Sequence, residues 1–78
     1  MAAIKKAAEI RRMTDAEIVA AINDAKEELF NLRFQWESGQ LEDYTRIRQL
    51  KKHIARLLTV QRERELAEEL VQEEADAE

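Results

Sequence analysis

The sequence predicts an all-α fold: an antiparallel two-helix hairpin, with a short helical segment before it and an acidic tail after it. Two observations carry this. Pro is absent and Gly occurs once in 78 residues, of which 38% are charged, so little interrupts helices and the composition is that of long amphipathic ones. Apolar residues then recur in steps of three and four over two separate stretches, the mark of helices that each bury one stripe. A chain this short forms one domain with a small core, burying roughly 60–65% of the surface it exposes when unfolded. With no Cys in the chain, neither a disulfide framework nor a thiolate zinc site can supplement that core.

Residues 3–11, with Ala7, Ala8 and Ile10, predict a short helical segment. Nine residues are too few to hold a helix alone, so this one needs a surface to pack on. Thr14 followed by Glu17 fits a capping box, and Met13 with Ile18 fits a hydrophobic staple. A helix over about 14–38 follows, its seam running Ile18, Ile22, Ala25, Leu29, Leu32, Trp36. It stops at Ser38 and Gly39, the one residue suited to the left-handed conformation after a helix end. The connection from Gly39 to Glu42 is short enough to favour antiparallel neighbours. Asp43 is the candidate N-cap of a second helix over about 44–68, with the seam Ile47, Leu50, Ile54, Leu57 and Leu58 beside it. Residues 1–68 are thus one unit. Beyond Val60 the stripe drifts, with Leu66, Leu70 and Val71 out of line with Ile47 and Leu50, and 69–78 predict a fraying or disordered acidic tail.

The net charge of −4 conceals a segregation along the chain. Residues 1–12 sum to +3, 13–30 to −4, 31–64 to +4 and 65–78, with seven acids and no base, to −7. A basic block between acidic ones suggests one surface that meets a polyanion and a tail that points away from it. On a helical wheel, Arg48, Lys51, Lys52, Arg56 and Arg62 fall opposite the seam of the second helix. From Arg46 to Arg64 the only acid is Glu63, so most of these cations lack a partner at helical spacing, and a phosphate backbone would relieve their repulsion. An ordinary solvated face is the simpler reading of such charge. Phe30 and Phe34 sit off the first seam with Asn31, Arg33 and Gln35 around them. They are expected either under the folded-back N-terminal segment or in a contact surface.

Enzyme chemistry is not expected. His53 is the only His and is expected at the surface or against RNA, while a thin two-helix layer offers no enclosed pocket to shift a carboxylate. No phosphate-binding Gly loop, cofactor site or metal site is expected. No signal-peptide run follows Lys5 and Lys6 and no stretch approaches ~20 apolar residues, so a soluble intracellular protein without a membrane partner or small-molecule substrate is expected.

Four separated stretches, in order, resemble the large-subunit ribosomal protein family numbered twenty-nine, of bacterial type. They are Met13-Thr14-Asp15-Ala16-Glu17-Ile18, Lys26-Glu27-Glu28-Leu29-Phe30-Asn31-Leu32-Arg33-Phe34-Gln35, the turn Gly39-Gln40-Leu41-Glu42, and a second-helix set. That set is Arg46-Ile47-Arg48, Lys51-Lys52, Ile54-Ala55-Arg56-Leu57, Thr59-Val60 and Arg62-Glu63-Arg64. Asp43-Tyr44-Thr45, Trp36 and His53 depart from the family's usual residues. The resemblance implies a cytoplasmic, ribosome-bound hairpin on large-subunit rRNA near the polypeptide exit. Its neighbour there would be the subunit protein numbered twenty-three, at the place where chaperones and targeting factors approach. Mapped onto this chain, it implies phosphate contacts from Arg33, Arg46, Arg48, Lys51, Lys52, Arg56 and Arg62, and polar contacts from Asn31 and Gln35. The competing expectation is a helical-hairpin or coiled-coil adaptor that binds protein and no RNA.

Overall fold

The computed structural model describes residues 1–76, in which three helices follow one another: α1 (Ala7–Ile10), α2 (Asp15–Glu37) and α3 (Thr45–Asp76). Each boundary has a local cause. The Thr14 hydroxyl accepts the Glu17 N–H at 3.2 Å and starts α2, satisfying one of the donors that a helix N-terminus leaves unpaired. At the other end Gly39 takes φ +78°, its N–H donates to Trp36 O at 3.2 Å, and Gln40 N–H donates to Gln35 O at 2.8 Å. This pair of bonds is a Schellman cap, which the left-handed Gly makes possible. Asp43, the expected N-cap, lies one residue before that position, which Tyr44 occupies; its Oδ1 accepts both the Thr45 N–H, at 2.9 Å, and the Thr45 hydroxyl, at 2.6 Å, in a side-chain turn that leads into α3.

α2 and α3 pack antiparallel. Ile18 and Ile22 meet Leu57 and Val60, and farther along α2 Ala25 meets Leu50 and Ile54, with Leu29 and Leu32 half-buried beside them. Both predicted seams are therefore the contact surface, except that Trp36 at the loop end and Leu58 at the edge stay partly exposed. α1 closes the open end of the hairpin, burying Ile10 with Met13 alongside in the Ile18–Leu57 cluster. Residues 1–6 run as a non-helical strap along the hairpin toward its loop: Ala2 packs on the Ala25–Leu50 cluster and its N–H donates to Glu28 Oε1 at 2.8 Å.

Besides the N-terminal segment, of whose residues 3–11 only Ala7–Ile10 are helical while 3–6 belong to the strap, two expectations are corrected. The first concerns the chain beyond residue 68, where α3 runs unbroken to Asp76 in place of a fraying or disordered end; Ala77 and Glu78 lie outside the described residues. Residues 61–76 are Ala, Glu, Gln, Leu and Arg for the most part, with no Gly or Pro, and extending a helix already nucleated avoids the nucleation cost. The second concerns His53, which is buried at 1% exposure. Its position falls at the edge of the seam arc, so the strap covers it, and the Lys5 N–H approaches Nδ1 at 3.5 Å.

Candidate nucleic-acid interface

The basic residues of the hairpin divide into those that hold the fold and those that face outward. Arg46 belongs to the first group. Its Nε donates to Glu28 Oε2 at 2.6 Å and its Nη2 to Glu28 Oε1 at 3.1 Å and to the Ala2 carbonyl at 2.7 Å. One guanidinium thereby ties α3 to α2 and to the strap, and its bond holds the Glu28 carboxyl below its ordinary 4.5 despite partial burial. Arg64 does similar work at the open end, with Asp15 at 2.7 Å and the Arg11 carbonyl at 3.1 Å. Arg62 pairs within its own helix, with Glu65 at 3.2 Å and Glu69 at 4.0 Å. Arg46 and Arg62, both expected to reach phosphate, are thus engaged by carboxylates inside the chain. Counting charges only from Arg46 to Arg64 misses Glu28, which is brought there by the hairpin, and Glu65 and Glu69, which lie just past that stretch of α3.

Apart from Lys26, which stands among the acids of α2, Arg33, Arg48, Lys51, Lys52 and Arg56 remain. All five are exposed, and none forms an ion pair among the described residues. Arg48, Lys52 and Arg56 succeed one another at four-residue spacing along the outer face of α3, where side chains stack into one row. Lys51 lies to one side of the row, toward Tyr44, which no motif in the sequence marks as a site residue. Lys51 Nζ donates to the Tyr44 hydroxyl at 3.0 Å and stands 5.5 Å from its ring centre, and the Arg48 guanidinium carbon lies 6.0 Å from it. Arg33 from α2 adds to the field at the phenol. Lys51 first, and Arg33 and Arg48 after it, hold the phenol below its ordinary 10.0. Trp36 meets Tyr44 edge to face at 5.1 Å, which fixes the ring that the cations surround. The signal for this is present in the sequence as an aromatic four and seven residues before cations on the same helix entry.

Phe30 and Phe34 are 71% and 65% exposed. The strap takes the opposite side of α2, along Glu28, so it does not cover them. Asn31 stands apart from the cations, lining an open concavity of about 360 Å³ with Met1, Ala2, Asp24, Glu27 and Glu28. Gln35 is exposed one turn beyond it, and its backbone carbonyl serves the α2 cap. The surface therefore has a cationic and aromatic side, at the loop end and outer face of α3, and a carboxylate-rich side along the strap. Among the described residues no group of three His, Cys, Asp or Glu could hold a metal ion. No described helix is long and apolar enough to cross a membrane.

The family model described as ribosomal L29 protein matches residues 8–64. The large ribosomal subunit protein uL29 of Geobacillus stearothermophilus is 63% identical over 62 residues, covering 80% of this chain and 94% of its own. Its counterpart in Streptomyces avermitilis is 51% identical over 72 residues, 92% of this chain and 97% of its own. In Staphylococcus haemolyticus the protein of the same name is 60% identical over 63 residues, 81% of this chain and 91% of its own. Matches of this extent, over the hairpin that carries the basic face, mean that the chain belongs to the ribosomal L29 protein family.

Proposed function

We propose that this protein is a structural constituent of the large ribosomal subunit, with no enzymatic role, and that it binds large-subunit rRNA through the outer face of α3 and the adjoining end of α2. The observation that carries the RNA contact is the row Arg48, Lys52 and Arg56, with Lys51 and Arg33 beside it, exposed and free of ion pairs among the described residues. Like charges at this spacing repel in the free protein, and a phosphate backbone removes that cost while releasing its own counterions. These five side chains are the proposed phosphate contacts. Asn31 and Gln35 are proposed as polar contacts to sugar or base, and exposed Phe30 and Phe34 as packing surface next to them. The contacts on phosphate position the protein and carry little sequence information. Arg46 acts indirectly, by holding the strap and the hairpin in register. A place near the polypeptide exit, beside the subunit protein numbered twenty-three and in the region that chaperones and targeting factors approach, is part of this proposal and rests on the family resemblance alone.

Replacing Lys51, Lys52 and Arg56 together by Ala should weaken binding to a large-subunit rRNA fragment and lower the slope of log K against log salt by about one for each phosphate no longer neutralised. An unchanged slope would remove these residues from the interface. At the level of the particle, the protein should sediment with the large subunit through a sucrose gradient and stay there after a high-salt wash. A free homodimer with no RNA affinity in sedimentation equilibrium would instead make the hairpin a protein adaptor.

A further inference from the structure

We propose that the projecting end of α3, residues 65–76, is a docking surface for a cationic amphipathic protein segment. α2 begins at Asp15, beside Arg64, and Glu65 and Glu68 still line a concavity with Asp15, Ile18 and Val19, so of these twelve residues of α3 the last eight extend past the hairpin, for about 12 Å at ~1.5 Å per residue. They also lie beyond residue 64, where the family match ends. At 100° per residue the projection has two faces. Leu66, Ala67, Leu70 and Val71 share one arc, interrupted by Glu74, while Glu65, Glu68, Glu69, Glu73 and Asp76 share the other. Leu70 and Val71 are 60% and 67% exposed, so the apolar arc has no cover within the described chain.

The chemistry of the missing cover follows from charge. The projection carries six acids and no base over 65–76, and among the described residues only Glu65 and Glu69 have an ion-pair partner, both with Arg62. Glu65–Glu69 and Glu69–Glu73 are like charges one turn apart. The acids also stand at a helix C-terminus, where the macrodipole favours cations and disfavours carboxylates. A second copy of this helix would double those repulsions, and a nucleic acid would bring phosphate against carboxylate. A segment with Lys or Arg on one face and aliphatic side chains on the other relieves all three: it covers Leu66, Leu70 and Val71, neutralises the acidic arc and compensates the helix end. Such pairing of an amphipathic helix with an apolar stripe is a general mode of peptide recognition.

The test is a titration of the full chain, isotopically labelled and followed by backbone NMR, with a synthetic peptide carrying Leu and Lys on opposite faces of a helix. Chemical-shift changes should fall on residues 65–76, and amide protection over 68–76 should rise. The variant L66Q/L70Q/V71Q keeps good helix formers at exposed positions, and it should bind the peptide at least about tenfold more weakly, as loss of apolar burial requires. The variant E68Q/E69Q/E73Q/E74Q should lose affinity to a similar degree and lose most of its salt dependence. Equal binding by the apolar variant would reduce the effect to general charge attraction and overturn the proposal. So would shifts centred on the hairpin, absence of binding, a concentration-dependent dimer formed through 65–76, or binding of polyuridylate at these residues. Neither variant touches the basic row, so rRNA affinity serves as the control for folding.

Discussion

Residues 45–60 and 61–76 of α3 form one continuous helix, yet they are held by different forces. The first half buries Ile47, Leu50, His53, Ile54, Leu57 and Val60 against α2, α1 and the strap. The second half buries none of its side chains fully. One half is helical because its burial in the tertiary structure leaves no alternative; the other is helical through the propensity of Ala, Glu, Gln and Leu and the template of the turns before it. The same secondary structure thus covers two very different local stabilities.

That contrast can be broken by equivalent truncations. Leu57→Ala in the buried half should cost about 2–5 kcal/mol, read from urea denaturation of the pure protein. Leu70→Ala in the exposed half should stay within about 0.5 kcal/mol. A large loss at Leu70 would show that the projecting half packs on something in the free protein. The arginines sharpen the comparison at smaller scale. Arg46→Ala leaves the Glu28 carboxylate and the Ala2 carbonyl without their shared donor, which should cost about 1–3 kcal/mol. Arg62→Ala removes only an exposed intrahelical pair and should cost under about 0.5 kcal/mol. Similar losses at the two positions would mean that the Arg46 triad contributes no more than a surface pair.

The smallest effect at neutral pH belongs to His53, because its ring is already uncharged there. Burial holds it below its ordinary 6.5, with the charges of Arg56, Arg46 and Lys5 acting in the same direction; Glu17 and Asp24 line the same concavity from α2. As pH falls below 6.5 the unfolded chain takes up the proton before the folded one, so stability drops from there down to the folded-state value and is unaffected above 6.5. Thermal melts of the wild type and His53→Gln across that range should show the slope in the first and its loss in the second. A retained slope would assign the titration to another group.

The hairpin is legible in the sequence because its information is periodic: Ile18, Ile22 and Ala25 face Leu50, Ile54, Leu57 and Val60, as a three-and-four spacing dictates. The Schellman cap at Gly39 is legible for a local reason, since only one residue in the chain enters the left-handed region cheaply. The site is legible in part. Spacing along α3 identifies Arg48, Lys52 and Arg56 as one row, but ion pairs across the hairpin depend on where two helices align, so Arg46–Glu28 and Arg64–Asp15 escape a reading along one helix. His53 and the exposed Phe30 and Phe34 turn on the path of the strap. Six non-helical residues carry no periodicity from which that path could be read.

That strap has a consequence for the order in which the molecule assembles. Its bonds join residues 44 apart at Ala2–Arg46 and 48 apart at Lys5–His53, whereas α2 and α3 meet across 18 residues at Glu28–Arg46. Closing the longer loops in an unfolded chain costs more entropy and rewards it with little, because the Arg46–Glu28 pair and the covered side of His53 exist only once the hairpin has formed. The strap, made before the helices it binds, is therefore the last to find its partners, and the protein reaches its final shape only after its central helices have left the tunnel in which they were synthesised.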